Sequence, residues 1–122
     1  MSKHKSPILL VVGPHDYTDR EVIVNALIDT ICDVKPTKVI TGNSTGVSDI
    51  VAEMINLHCS TIEYERVWAN RDKYGANAVP RRNYAISQMI THALVFYNHS
   101  PGTSNMLYFI KRFDIPYTII NI

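Results

Sequence analysis

A continuous apolar run at positions 8–12, ended by Gly13, limits the fold of this chain more than any other feature. A strand that is apolar at every position must be covered on both faces, as the central strands of parallel sheets are. Further strand-like segments occur at 38–41, 93–97 and 117–120, and segments with helical spacing separate them. This alternation predicts an α/β protein.

The predicted architecture is a single Rossmann-like domain of three layers, with a five-stranded, mainly parallel sheet and about four helices. Segment 61–67 is mixed in character, which suits a sheet edge, and with right-handed crossovers the expected strand order is 3-2-1-4-5. A length of 122 residues suits one domain. We expect that domain to occupy residues 1–122, with 1–7 flexible.

Residues typical of helix starts locate two of the four predicted helices. Thr18 and Glu21 form a capping box, which places the N-cap of the first helix at Thr18. Pro80 is typical of a first helical residue, so the third helix is predicted from there to about position 91. The second and fourth helices are predicted at about 48–58 and 103–113.

Composition excludes several classes of protein. Hydrophobic residues make up 46% of the chain and the formal net charge is +1, which argues against a disordered chain and against a basic nucleic-acid-binding surface. No apolar stretch is long enough to span a bilayer, and no signal peptide opens the chain. The cysteines and histidines lack metal-ligand spacing, so neither a metal nor another cofactor is expected.

Three polar, glycine-bearing loops coincide with the place where such sheets bind ligands. Ligands of open parallel sheets lie beyond the carboxyl ends of the strands, at the point where the strand order reverses direction. In the order 3-2-1-4-5 that point falls between the first and fourth strands. The loops at 13–19, 42–49 and 98–105 are expected there, and together they predict a ligand site.

The loop at 42–49 resembles an anion cradle. Two glycines and three hydroxyl residues lie between a strand and a helix N-terminus, where free N–H groups and the helix dipole favour phosphate. The loop matches neither the Walker A pattern nor GxGxxG. Its candidate ligand residues are Gly42, Asn43, Ser44, Thr45, Gly46 and Asp49. Asp49 either caps the helix or binds a ribose hydroxyl.

The other two loops carry related chemistry. In the first, Gly13 would let the backbone approach a ligand, and His15 and Tyr17 would contact a base or a phosphate. An ordinary strand-to-helix turn explains the same residues equally well. In the third loop, Thr103 or Ser104 would cap the helix in either interpretation. The ligand candidates of the third loop are Gly102, Thr103 and Ser104.

Two arginines, Arg81 and Arg82, follow Pro80 in what is predicted to be the first turn of a helix, where their charge opposes the helix dipole. A bound anion would reverse that penalty, because arginine offers bidentate geometry to phosphate. Pairing with Asp72 or another acidic residue is the alternative. Arg82 and the adjacent Asn83 are the candidate ligand residues of this segment.

These motifs, read in order, resemble the YspA-like, YpsA-related branch of the SLOG superfamily, which also includes the DprA/Smf proteins and the lysine-decarboxylase-like phosphoribohydrolases. The resemblance covers about 8–120. The motifs are Gly13…Asp19, Gly42…Gly46…Asp49-x-x-Ala52, Trp68…Gly75-x-x-Ala78…Arg82-Asn83 and Gly102-Thr103-x-x-Met106. The resemblance implies a Rossmann-like domain that binds nucleotides or nucleotide-derived ligands.

Departures from the family pattern bear on catalysis. His15 stands where the first loop of the family commonly has arginine, and Val79 stands where glycine is common. The phosphoribohydrolase branch places a catalytic glutamate three residues after its Gly-Thr, and that position is Met106 here. A methionine serves as neither acid nor base, so no catalytic residue is assigned.

The leading hypothesis is a non-catalytic domain that binds a nucleotide, a cyclic nucleotide or an ADP-ribose-type signal. It would act as a sensor subunit or as a sequestering protein, for instance a viral one that blocks nucleotide-signalled immunity. The first alternative is an N-glycosidase or phosphoribohydrolase that uses Asp49, Asp16 or Asp19 in place of the missing glutamate. The second is a nucleic-acid-binding module, which the near-neutral charge disfavours. A cytoplasmic location is expected, in the host if the protein is viral.

A homo-oligomer, at least a dimer, is expected because a domain of this size carries many aromatic side chains and because SLOG relatives commonly pair through helices near the site. The aromatic residues considered for this contact are Tyr84, Phe96, Tyr97, Tyr108, Phe109 and Phe113. No membrane partner is expected.

Overall fold

The computed structural model describes residues 6–42 and 45–122. Residues 1–5, part of the segment expected to be flexible, and the candidate ligand residues Asn43 and Ser44 lie outside these ranges. The strands are β1 (Ile8–Val12), β2 (Lys38–Gly42), β3 (Glu63–Val67), β4 (His92–Tyr97) and β5 (Tyr117–Asn121). The helices are α1 (Arg20–Val34), α2 (Val47–His58), α3 (Arg71–Tyr74), α4 (Ala78–Ser87) and α5 (Pro101–Arg112).

All four strand pairings of the described sheet are parallel, and the strand order is β3-β2-β1-β4-β5. This confirms the predicted order 3-2-1-4-5 and the Rossmann-like α/β fold. β1 lies at the centre, paired with β2 from Ile8 to Leu10 and with β4 from Leu9 to Val12. The order reverses direction between β1 and β4, so the ends of these two strands lie at the switch point.

A separate apolar cluster covers each face of the sheet, which makes the domain three layers thick. Leu9 and Val11 of β1 pack with side chains of α1 and α2, whereas Leu10 packs with side chains of α4 and α5. Leu9, Leu10 and Val11 are fully buried. Burial on alternate faces explains why every position of the run is apolar.

Helix boundaries differ from the prediction at four places, one of which is the end of α4, at Ser87 and not near position 91. Asp19, not Thr18, is the N-cap of α1, and its Oδ1 accepts a hydrogen bond from the Val22 backbone N–H at 3.3 Å. The segment predicted to be a connection contains α3 and a 3-10 turn, so α4 begins at Ala78 and not at Pro80. α5 has Ser100 as N-cap and Pro101 at its first position, so neither Thr103 nor Ser104 caps it.

The loops after β1 and β2 pack directly on each other at the carboxyl edge of the sheet. The Thr45 hydroxyl donates to the His15 carbonyl oxygen at 3.0 Å. Gly46 has φ of +68°, and a β-carbon built on it would lie 2.4 Å from the same carbonyl oxygen. Glycine is therefore required at this position both by the backbone angle and by the contact. This contact sets the spacing of the two loops.

Among the described residues, no helix has the length and apolar character needed to cross a membrane.

Replacement of Asp19 by alanine is expected to lower the free energy of unfolding by about 0.5–2 kcal/mol, because the Val22 N–H loses its acceptor. Thr18→Ala is the matched control and should leave stability nearly unchanged. Urea denaturation of both variants measures the difference. A larger loss for Thr18→Ala than for Asp19→Ala would contradict the assignment of the cap.

Gly46→Ala should destabilise the domain more than Gly75→Ala, although both glycines have positive φ. A β-carbon on Gly75 meets no atom within 4 Å, so its cost is that of the backbone conformation alone, about 1–3 kcal/mol. At Gly46 the methyl group would also push the His15 carbonyl away. Equal urea midpoints for the two variants would show that the packing between the loops does not contribute to stability.

Candidate functional site

A cleft of about 640 Å³ opens at the switch point between β1 and β4, a size within the range of small-molecule sites. The loops after β1 and β4, the end of β2 and the helices α3, α4 and α5 all contribute to it. Its polar lining includes His15, Ser48, Arg71, Arg82, Asn83, Ser100, Thr103 and Asn105, together with the backbone of Gly13, Gly42 and Gly102. Its apolar lining includes Leu10, Val12, Val79, Pro80, Ile86 and Met106.

The Arg82 guanidinium lies against the backbone of Gly42 at the end of β2. A β-carbon built on Gly42 would be 2.9 Å from Arg82 Nη1 and 3.1 Å from Cζ. Any side chain there would displace the guanidinium, so the glycine at the end of β2 admits the arginine to the cleft. Arg82 Nε also donates to Oδ1 of Asn83 at 3.2 Å, which helps to orient the group.

Asn83 connects α4 to the start of α5. It is 2% exposed, and its Nδ2 donates to Asn105 Oδ1 at 3.0 Å and to the Gly102 carbonyl oxygen at 3.4 Å. Because its Oδ1 accepts from Arg82, this amide links the guanidinium to the first turn of α5. Asn83 therefore connects the α4 side of the cleft to the α5 side.

A second guanidinium, that of Arg71 on α3, lines the same cleft as Arg82. Burial, and to a smaller extent the positive charge of Arg71, lowers the pKa of the Arg82 guanidinium from its ordinary value. Two like charges near each other in a partly desolvated cleft favour an anionic occupant, which would offset both the burial and the repulsion.

The N-terminus of α5 completes the polar side of the cleft. The first N–H groups of a helix have no acceptor within it, and here Gly102 and Thr103 of that first turn line the cleft. The Ser100 side chain makes no capping hydrogen bond. Its Oγ is buried and has no hydrogen-bond partner within the part of the chain that the structure describes. A hydroxyl of this kind is available to a ligand in the cleft.

No carboxylate is among the described residues that line the cleft. Met106, which stands three residues after Thr103, is fully buried and contributes an apolar surface. A general acid or base acting on a ligand here would have to come from His15, which lines the cleft and is exposed.

Several predicted ligand residues lie outside the lining of the cleft. Tyr17 stacks on Phe96 with ring centroids 6.1 Å apart, and its pKa is raised first by burial and then by the negative charge of Asp19. The Ser104 hydroxyl donates to the Tyr97 hydroxyl at 3.4 Å. Thr45 and Gly46 make the contact between loops described above. The structure thus brings together Gly13, His15, Gly42, Arg82, Asn83, Gly102 and Thr103 at the cleft.

Asp49 pairs with a residue of the edge strand. Its Oδ1 accepts from Arg66 Nη2 at 2.6 Å, and this bond is the largest cause of the raised pKa of the Arg66 guanidinium. Arg66 Nε donates to the Tyr64 hydroxyl at 3.0 Å, which is 2.7 Å from Thr41 Oγ1. The Asp49 carboxylate thus ties α2 to β3 and does not line the cleft.

The prediction that Arg81 and Arg82 lie in the first turn of a helix is wrong. Because α4 begins at Ala78, Arg81 and Arg82 are its fourth and fifth residues and not part of an exposed first turn, so the argument from the helix dipole does not apply. Arg81 packs over the Tyr74 ring, with Cζ 4.3 Å from the centroid. Among the described residues, neither arginine forms an ion pair with Asp72.

Arg71, Ser100 and Asn105 are cleft residues that the sequence analysis missed. A local signal for α3 was present, since Asn70 accepts from the Lys73 N–H at 3.0 Å as an N-cap does. Whether Arg71 points to a cleft depends on how that helix folds back over the sheet, which no local pattern reports.

Within the described ranges, no group of three or more His, Cys, Asp or Glu side chains is placed to hold a metal ion. Comparison of the chain with protein-family models, with curated proteins and with solved structures returns no match.

Proposed function

We propose that this protein binds a phosphate-bearing, nucleotide-derived small molecule in the cleft between β1 and β4. The observation that carries the proposal is the convergence of Arg71 and Arg82 on a cleft that no described carboxylate lines. The chain has a net charge of only +1, so these two cations create a local anion site and not a general basic surface.

The shape of the cleft supports a ligand with two chemically different parts. Guanidinium groups and the first turn of α5 suit a phosphate, which accepts several hydrogen bonds at once. The aliphatic side chains of Leu10, Val12 and Ile86 offer an apolar surface for a base or another flat group. A nucleotide, a cyclic nucleotide or an ADP-ribose derivative has both parts. The resemblance to the SLOG superfamily points to the same class of ligand.

The site supports binding of a ligand better than it supports cleavage of one. Cleavage of an N-glycosidic bond needs a carboxylate to stabilise an oxocarbenium ion or to activate water. Met106 supplies none, and Asp49 is engaged by Arg66. Asp19 caps α1, so its carboxylate is also engaged. Asp16 is not among the described residues that line the cleft. A hydrolase would have to depend on His15 alone, which is a weaker arrangement than a paired carboxylate.

Two biological roles use the same site. A sensor subunit would pass on ligand binding to another protein, whereas a sequestering protein would lower the free concentration of a signal molecule. Both require a ligand that is bound and returned intact. A pull-down with and without the identified ligand distinguishes the two roles, because a sensor gains or loses a protein partner when the ligand binds.

Ligand binding is tested by thermal shift with a panel of nucleotides, cyclic nucleotides and ADP-ribose derivatives, because a ligand that binds only the folded state raises Tm. With the best compound, Arg82→Ala should weaken binding by about 1.5–3 kcal/mol, the scale of a charge-assisted hydrogen bond. Gly42→Ala should weaken binding in the same direction, because the added methyl would displace the guanidinium. Calorimetric titration measures both effects.

Arg81→Ala is the matched control, since that neighbouring arginine packs on Tyr74 and lies outside the lining of the cleft. Its affinity should stay close to that of the wild type. Absence of a shift with every compound of the panel would contradict the proposed function. Equal affinities for Arg82→Ala and Arg81→Ala would remove Arg82 from the site.

The ligand is expected to return unchanged after long incubation with the protein. The released material is followed by chromatography and mass spectrometry after denaturation. One intact molecule per site or fewer supports binding alone. Repeated release of free base and ribose phosphate, abolished in Asp49→Asn or His15→Ala, would replace the binding function by an N-glycosidase.

A further inference from the structure

The two edges of the sheet differ in charge. The edge strand β3 carries Glu63, Glu65 and Arg66, and Lys38 of β2 bridges the two glutamates at 3.4 and 2.5 Å. The opposite edge, formed by β5 and the residue after it, reads Tyr-Thr-Ile-Ile-Asn-Ile and contains no charged residue. Natural proteins protect edge strands from pairing with other chains by placing charges on them. Only the β3 edge has this protection.

The backbone of β5 presents a regular row of hydrogen-bonding groups to solvent. Among the described residues, β5 pairs with β4 and with no other strand. The Ala93 N–H donates to the Pro116 carbonyl and the Ile122 N–H donates to the Tyr97 carbonyl, both at 3.0 Å. Even-numbered positions of β5 therefore point their backbone groups toward β4, because successive residues of a strand alternate in direction.

The N–H and C=O groups of Tyr117, Ile119 and Asn121 consequently point away from the sheet. Tyr117 is 42% exposed and Ile122 is 37% exposed, so this edge is open to solvent. Apolar surface also lies next to it, since Phe113, four residues before the strand, is 39% exposed. An uncharged strand with free backbone groups and apolar neighbours fits another strand of the same character.

We propose that β5 pairs in antiparallel orientation with β5 of a second copy of this chain. A twofold axis perpendicular to the sheet at Ile119 places Ile119 opposite Ile119 of the partner subunit. It also places Tyr117 opposite the partner's Asn121, and the reciprocal pair follows by symmetry. Each of these pairs exchanges two backbone hydrogen bonds. The register uses all of the outward-pointing groups of the strand.

This arrangement is compatible with the layers of the fold. Ile119 packs on the side of α4 and α5, and Ile120 packs on the side of α1 and α2. A twofold axis perpendicular to the sheet keeps the equivalent helices of both copies on the same side. The two sheets become one continuous sheet that is covered on both faces, and the clefts remain open in both copies.

The aromatic residues from which an oligomer was expected are less suited to the proposed interface than β5 is. Phe96 is fully buried in the core, so it is not available for an interface. Tyr84, Phe109 and Phe113 pack against one another with ring centroids 5.8 to 6.4 Å apart. Tyr84 and Phe113 remain partly exposed, but they lie on helical segments and have no outward-pointing backbone groups of the kind found on β5. If they formed the contact, changes on β5 would leave the oligomer intact.

Light scattering coupled to gel filtration at micromolar concentration tests the proposal. The wild type should have twice the chain mass of 13.8 kDa. Tyr117→Lys with Asn121→Lys should reduce the mass to that of one chain, because lysine would then face lysine across the twofold axis. Tyr117→Lys with Asn121→Glu is the matched variant and should remain a dimer, because lysine would face glutamate. The Tm of each variant reports whether it folds.

A monomeric wild type would overturn the proposal, and so would a dimer that survives the double lysine change. A monomer in both double variants would contradict the register. Cross-linking provides a test without added charge, in a Cys32→Ser background that removes the exposed native thiol. Oxidation of an equimolar mixture of Tyr117→Cys and Asn121→Cys chains should give a covalent dimer, and either variant alone should give much less. Equal yields in the three samples would also overturn the register.

Discussion

Burial of β1 between two layers of helices is the constraint on which the rest of the structure depends. β1 shares hydrogen bonds with β2 and β4, and its side chains fill the core on both faces. Right-handed connections then place α1 and α2 on one face of the sheet and α4 and α5 on the other, because the chain changes direction across the sheet after β3. The end of β1 and the start of α5 then meet at one place. The cleft is a consequence of this topology.

The cleft concentrates positive charge in a protein that carries little net charge. Arg82 is held there by the bare backbone of Gly42 and by the amide of Asn83, and Arg71 adds a second cation. Partial burial of a guanidinium is unfavourable unless its charge is compensated. Under the proposed function, a phosphate in the cleft would add to that compensation.

Polar residues near the site serve two different purposes. Thr45 and Gly46 join the loops after β1 and β2, and Asp49 joins α2 to β3 through Arg66. These contacts connect the elements at the edge of the cleft without taking part in its lining. Under the proposed function, contacts that exist before binding lower its entropic cost, because fewer groups need to be ordered.

The alternation of strands and helices and the polar loops at the strand ends were predictable from the sequence, and the order 3-2-1-4-5 was expected from them. Apolar runs, helical spacing and the handedness of crossovers depend on near neighbours along the chain and on general chirality, so they were readable without coordinates. Gly42 was indicated by its place at the end of a strand, whereas Arg82 and Asn83 were indicated by their place after Pro80 and by the resemblance to the SLOG pattern. Capping was less certain, because Thr18 and Asp19 are adjacent and both able to cap, and the backbone angles of the folded chain choose between them.

Which polar side chains face the cleft depends on tertiary packing. Asp49 and Arg71 show the reason. Asp49 follows a glycine-rich loop that looks suited to a ribose, yet Arg66, 17 residues later in the chain, takes its carboxylate. Arg71 lies in a segment without a strong motif, yet α3 folds back and directs it to the cleft. Contacts between residues distant in sequence depend on how the layers pack, and a local pattern does not contain that information.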